Sequence, residues 1–254
     1  MPETFSGSGK GGGGRWPALG FLRRRSTAAG TPASSGEEAL RTSRERMVQD
    51  QLIRRGIHDP RVLVAMREVP RHLFVPEQDR GLAYEDMPLP IGRGQTISQP
   101  YVVALMTELL QLNGREKVLE VGTGSGYQAA LLSLLARQVF SMERHETLSQ
   151  LARETLRHLG YRNVTVLVGD GSCGLPQQAP FDAILVTASP PSVPPPLLEQ
   201  LSPGGRLVLP TGPTGGQRLE LWTRRETRWD EEDVLPVAFV PLIGQYGWNN
   251  EKAR

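Results

Sequence analysis

Residues 118–126 read Val-Leu-Glu-Val-Gly-Thr-Gly-Ser-Gly, an apolar run that breaks into three alternate glycines. Glycines at a strand-to-helix turn let the backbone approach a bound nucleotide closely. The spacing is GxGxG and not the GxGxxG of dinucleotide enzymes, and Glu120 stands just before Gly122. Glu143 closes the next apolar run, where a carboxylate can accept both hydroxyls of a ribose. Gly169-Asp170 closes a third, where an acid can face an adenine amino group. A carboxylate at Glu120 suits a ligand carrying positive charge, an ammonium beside a sulfonium, better than a pyrophosphate. The plainer alternative is that Gly122, Gly124 and Gly126 only make a tight turn and that the acids are solvated. The order of the pieces, each at the end of a successive strand, favours the ligand.

The elements that must hold these residues alternate. Strands are predicted at Lys117–Val121, Gln138–Met142, Val164–Val168, Ala183–Thr187 and Arg206–Leu209, with helices between them at Gly126–Ala136 and 145–159. That alternation implies βαβ units and an α/β fold with a doubly wound, mostly parallel sheet. Leu219–Arg224 and Val234–Val240 read as two further strands joined by a charged turn, an antiparallel C-terminal edge. Upstream, Glu37–Glu68 carries helical stripes, with Asp59-Pro60 as a helix start. Residues 77–97 read as an irregular stretch long enough to be functional, and a helix follows over Tyr101–Leu112. Residues 1–40 are Gly-, Ser- and Arg-rich and read as a disordered, solvated tail. The organisation is therefore a tail at 1–40, N-terminal helices and a substrate-site loop at 41–112, and a nucleotide-binding core at 113–247.

Composition limits the alternatives. The chain of 254 residues is 38% hydrophobic and 22% charged, enough to bury a core. Eight basic and four acidic residues lie in positions 1–46, against 21 and 23 in the remainder, so the folded part is slightly acidic and unsuited to nucleic acid. The single cysteine, Cys173, permits neither an intramolecular disulfide nor a thiolate zinc cluster. The four histidines lack metal-site spacing, and no metal is expected. No apolar run approaches the roughly 18 residues of a membrane span, and Arg23–Arg25 leads into no signal-like segment. A cytoplasmic location without membrane association is the expectation.

The ordered set Glu120, Gly122–Gly126, Glu143 and Gly169-Asp170, with Leu201–Leu209 as a fifth-strand entry, resembles the class I S-adenosylmethionine-dependent methyltransferases, which have a Rossmann-like fold. After the fourth strand, Ser189-Pro190-Pro191-Ser192 has the outline of an amino-methylating motif. Ser192 stands where that motif needs an aromatic to stack on a flat amide or base, so amino methylation of nucleic acid is a minor reading.

The stretch before the glycines discriminates further. Tyr84–Tyr101, with Thr96-Ile97-Ser98 and Pro100, and Val69–Pro76 closely resemble the bacterial protein-L-isoaspartate O-methyltransferases. The similarity continues through Gly169-Asp170-Gly171 with Gly174, Pro180–Ile184 and Phe239–Leu242, and spans about Met47 to Leu242. Ser189 stands where many members have Ala, and residues 1–46 have no family counterpart. The resemblance implies methyl transfer from S-adenosylmethionine to the free α-carboxylate of L-isoaspartyl residues in damaged proteins and peptides. It identifies Ser98 as the catalytic residue and Thr96 as flanking the cofactor, with Glu120, Gly122, Gly124, Gly126, Glu143, Gly169 and Asp170 as cofactor-binding. Ser98 has a second reading, as N-cap of the following helix. The family also implies a monomer. A relative redirected to the carboxylates of one dedicated peptide is the other reading the sequence leaves open.

Overall fold

The computed structural model describes residues 32–249. Residues 1–31 of the expected tail lie outside that range, but 32–40 do not behave as tail. They belong to helix α1 (Pro32–Met47), whose Leu40 packs against the core. The helix runs on as a π turn over Val48–Leu52 and a 3-10 turn over Ile53–Arg55, and Gly56 stops it at φ +90°. Helix α2 (Pro60–Glu68) starts as predicted, with the Asp59 carboxylate accepting from Arg61 N at 2.9 Å.

The stretch expected to be irregular contains a small hairpin, β1 (Leu89–Gly92) with β2 (Gln95–Ile97). Its turn is Arg93-Gly94, both left-handed at φ 55° and 70°, and Leu89 pairs with Ile97, both buried. Pro90 and Gly92 hide so short a strand pair from pattern reading. Helix α3 (Pro100–Leu109) follows, ending three residues before the predicted Leu112.

The core then alternates as expected: β3 (Lys117–Val121), α4 (Tyr127–Leu135), β4 (Gln138–Glu143), α5 (Glu146–His158), β5 (Val164–Val168), β6 (Phe181–Val186), α6 (Pro195–Glu199) and β7 (Leu201–Thr211). Two antiparallel strands, β8 (Gln217–Arg224) and β9 (Trp229–Val237), complete a seven-stranded sheet of order β5-β4-β3-β6-β7-β8-β9. Strand β9 starts five residues before the predicted Val234. The acidic run Asp230–Asp233, read as a turn, is a solvated edge strand, a place where charge discourages further pairing.

From β3 the chain winds outward to β4 and β5, then returns to β6 and β7 on the other side. The reversal opens a crevice beyond the carboxyl ends of β3 and β6, the place where ligands bind in open α/β sheets. Both faces of the sheet are covered. Val118, Val139, Ala183 and Val208 face a core shared with α2, α3 and α4, and Leu119, Phe140, Ile184 and Leu207 face the layer under α6.

Candidate active site

The glycine turn sits at the head of that crevice. Gly122, Gly124 and Gly126 have φ of +100°, +53° and +88°, conformations that side chains rarely adopt. Gly122 N and Thr123 N both donate to Met142 O, which pins the turn to β4. Gly124 N donates to Glu143 Oε2 and His145 N to Glu143 Oε1, each at 2.9 Å. Two backbone donors thus fix the Glu143 carboxylate, and its remaining lone pairs meet an open cleft. Thr96, Gly122, Gly124, Gly169 and Gly171 line the same cleft, and residues 240–243 close it from the C-terminal side. A ligand whose ribose hydroxyls need a hydrogen-bond acceptor suits the Glu143 carboxylate at this cleft.

Three of the predicted cofactor residues do not line the cleft. Gly126 lies beneath it, capping α4 and packed over Ala152 and Leu156. Glu120 faces the core, because alternation along β3 sends it to the same side as Val118, toward α4. Its cross-strand neighbour Ser141 donates to Oε2 and in turn contacts Thr123 Oγ1, while Oε1 has no hydrogen-bond partner among the described residues. Burial pushes the Glu120 carboxyl up to about 8, against the pull of Ser141 and with a smaller push from Glu143. Between the unperturbed 4.5 and about 8 the unfolded chain has released this proton and the native chain has not, so Glu120 lowers stability as pH rises through that window. Glu120→Gln should therefore melt increasingly above wild type between pH 5 and pH 8, by a few kcal/mol at most. A melting difference that does not change with pH would mean the native carboxyl is already ionised.

Asp170 serves a strap. Its Oδ1 accepts from Ser172 N (2.9 Å) and Ser172 Oγ (2.6 Å), and its Oδ2 from Gln245 N at 2.7 Å. Partial burial raises its pKa, but the bonds from Ser172 and Gln245 outweigh that and hold the carboxyl below the usual range. Tyr246 N donates to Ser172 Oγ and Trp248 Nε1 to Ser189 O, so residues 240–248 are tied across the cofactor cleft. A Cβ at Gly244 would collide with Asp170 Oδ1, which leaves glycine alone room to pass.

Ser98 lies between the hairpin and α3 and lines two neighbouring hollows. One is a groove walled by Arg55, Gln99, Tyr101 and residues 235–240, and the other lies against Gly122, Gly124 and Tyr127. Thr96 and Thr187 border both hollows and the cofactor cleft. Ser98 is not the N-cap of α3: that position is Gln99, with no side-chain capping bond. Arg55 stacks 3.6 Å over the Tyr101 ring and pairs with Asp86 at 2.8 Å. Arg71, fully buried, donates through Nη2 to Ser98 O at 2.8 Å and through Nε to Ala83 O at 2.7 Å. Burial pushes its pKa down to about 10, so it stays charged at neutral pH. His72, the nearest histidine in sequence, lines none of the three hollows. Its Nδ1 meets Tyr84 Oη at 2.7 Å, and burial lowers its pKa.

Sequence reasoning gave no role to Arg71, Arg55, Thr187 or the strap. Thr187 was legible only as the end of a strand, and nothing in Val69–Pro76 distinguishes Arg71 from a surface arginine.

Comparison with known proteins bears on this geometry. Residues 42–247 match the family model for protein-L-isoaspartate(D-aspartate) O-methyltransferase, starting five residues earlier than the sequence similarity was drawn. The protein-L-isoaspartate O-methyltransferase of Methanoculleus marisnigri is 55% identical over 214 residues, 84% of this chain and 97% of that protein. Protein-L-isoaspartate O-methyltransferase 1 of Syntrophobacter fumaroxidans is 56% identical over 206 residues, 81% of this chain and 96% of that protein. Among solved structures, a protein-L-isoaspartate O-methyltransferase superposes with a TM-score of 0.72 at 30% identity, over 80% of this chain and 67% of that one. A Plasmodium falciparum protein assigned the same activity, in complex with S-adenosyl-L-homocysteine, gives 0.69 at 25% identity, over 79% of this chain and 98% of that one.

Proposed function

The chain belongs to the protein-L-isoaspartate(D-aspartate) O-methyltransferase family, and from that membership we propose how its site carries out the reaction. It is an S-adenosylmethionine-dependent protein carboxyl methyltransferase acting on L-isoaspartyl residues. The acceptor is the free α-carboxylate, and its methyl ester then collapses to a succinimide, which returns part of the damaged chain to normal aspartate. No helix among the described residues is long and apolar enough to cross a membrane.

The observation that carries this reading is the seam at Thr96 and Thr187, where the cofactor cleft meets the groove lined by Ser98. S-adenosylmethionine, when bound, supplies an electrophilic sulfonium methyl. Glu143 would accept from its ribose hydroxyls, and Gly122 and Gly124, which line the cleft without side chains, would let it lie against the backbone. The acceptor carboxylate, with a pKa of about 4, is ionised at neutral pH, so the site needs no general base. That agrees with Ser98 having no histidine partner and with His72 being spent on Tyr84. Ser98 donates its hydroxyl proton to the acceptor carboxylate as a hydrogen bond and holds it in line, and the hairpin and strap keep water out. Asp170 acts here through the strap, by fastening 240–248 over the cleft.

Methyl transfer from labelled S-adenosylmethionine to two peptides differing only in L-isoaspartate against L-aspartate tests the reading. Label on the isoaspartyl peptide alone, released as methanol in mild base, is expected. Label on neither peptide, with cofactor binding intact, would point instead to a dedicated peptide substrate.

A further inference from the structure

Arg71 is a buried cation without a counter-ion. It hangs from the turn after α2, has no solvent exposure, and is paired with no acidic side chain among the described residues. Its guanidinium is satisfied in part by two carbonyls, Ala83 O and Ser98 O, and by electrostatic attraction to the Tyr127 hydroxyl, whose ring centroid lies 5.0 Å away, while Nη1 meets no geometric hydrogen-bond partner among the described residues. The neighbouring polar groups are Tyr84, Tyr127 and His72. Burial raises the first two in pKa and lowers the third, so all are neutral near pH 7. Isolating a charge in this way is unfavourable, and neutral donors would serve two carbonyls as well. What the arrangement lacks is an anion. The reaction brings one, the isoaspartyl carboxylate, to Ser98, whose carbonyl Arg71 already holds.

We propose that Arg71 is a positioning residue for the acceptor: it fixes the Ser98 backbone and supplies the positive potential that makes this seat prefer a carboxylate to a neutral amide. Arg71 lines none of the three hollows, so it acts from behind Ser98, through an interior where charge is weakly screened. The proposal rests on the placement of the acceptor at Ser98 given above.

The test compares two peptides that differ only at the acceptor group, the isoaspartyl carboxylate and the corresponding carboxamide. Their binding to the S-adenosylhomocysteine complex is measured by calorimetry for wild type, Arg71→Met and Arg71→Lys. Wild type should prefer the carboxylate by about tenfold or more, Arg71→Met should lose most of that preference, and Arg71→Lys should recover part of it. A purely structural role would weaken both peptides together and leave the ratio alone, so an unchanged ratio in Arg71→Met overturns the proposal. If Arg71→Met does not fold, Arg71→Gln, which keeps a donor for the Ser98 carbonyl, is read the same way. Wild type that methylates the isoaspartyl peptide yet binds both peptides equally overturns the proposal alone. Wild type that methylates no isoaspartyl peptide removes the functional reading and this proposal with it.

Discussion

Ser98→Ala is expected to lower turnover on an isoaspartyl peptide by on the order of 10²-fold while leaving S-adenosylhomocysteine affinity within about twofold. The asymmetry follows from where Ser98 stands. It lines the acceptor groove and the hollow beside Gly122, but not the cleft that Glu143 and Gly169 border. Its hydroxyl is not used to cap α3, since Gln99 holds that position, so removing it leaves the helix start as it was. Its main chain is held independently by Arg71 at the carbonyl, so alanine can take the same backbone path. On the proposed placement of the acceptor, what goes is one hydrogen-bond donor to its carboxylate. Such a donor aligns the carboxylate oxygen with the methyl and has no effect on how the cofactor is gripped. The loss should fall mainly on kcat, with a smaller rise in KM for the peptide. Full activity in Ser98→Ala would remove the serine from the mechanism and leave the groove's backbone to orient the acceptor. A parallel loss of cofactor affinity would mean instead that the 96–98 segment is part of the cofactor floor.

The parts legible in sequence were those with a local physical signature. Five parallel strands announce themselves as short apolar runs between helical patterns, and each falls within two residues of its predicted start except β7. Leu201 pairs with Phe181 of β6, but residues 202–205 bulge out of register before pairing resumes at Arg206, so Pro203 and two glycines hide where β7 begins. The hairpin β1–β2 was invisible for a similar reason, being two short strands containing Pro90 and Gly92. The position of Glu143 at the cleft was legible because a residue ending the strand after the glycine turn stands where the crevice opens.

Glu120 and Asp170 show the limit. Their strand-end positions were readable, but which way each carboxylate points was not. Glu120 is turned inward by the two-residue alternation of β3, onto Ser141 in register beside it. Asp170 is turned toward Gln245, some 75 residues away in sequence, and no local pattern encodes that contact. Arg71 is the same case taken further. Its meaning comes from Ala83 and Ser98, brought together by three separate chain segments, and its own neighbours in sequence say nothing of it.

Gly122→Ala should weaken cofactor affinity by about 10² or more and also lower stability, because two separable costs fall on one methyl group. The first is conformational: φ at Gly122 is +100°, outside even the left-handed region that non-glycine residues tolerate, a strain of roughly 1–3 kcal/mol. The second is steric. A Cβ there would collide with Thr187 Oγ1, the hydroxyl that donates to Gly122 O at 2.7 Å and approaches Val121 O at 3.2 Å. Relieving the overlap means moving either the turn, which carries Gly124 N and so the Glu143 bond, or Thr187, which borders every hollow of the site. Thr187→Ala separates the two costs. Alone it removes the half-buried hydroxyl that bonds Gly122 O and Val121 O, about 1 kcal/mol, and leaves the turn where it is. Combined with Gly122→Ala it removes the colliding oxygen but not the φ strain, so the double variant should bind cofactor more tightly than Gly122→Ala. It should still fall short of Thr187→Ala. Melting temperatures and calorimetric cofactor affinities across the four proteins measure that coupling. Strict additivity would show that the backbone angle alone demands glycine. Full recovery in the double variant would show that the demand is for room beside Thr187, and that the close approach of β3 to β6 at the crevice, more than the sharpness of the turn, is what fixes glycine at position 122.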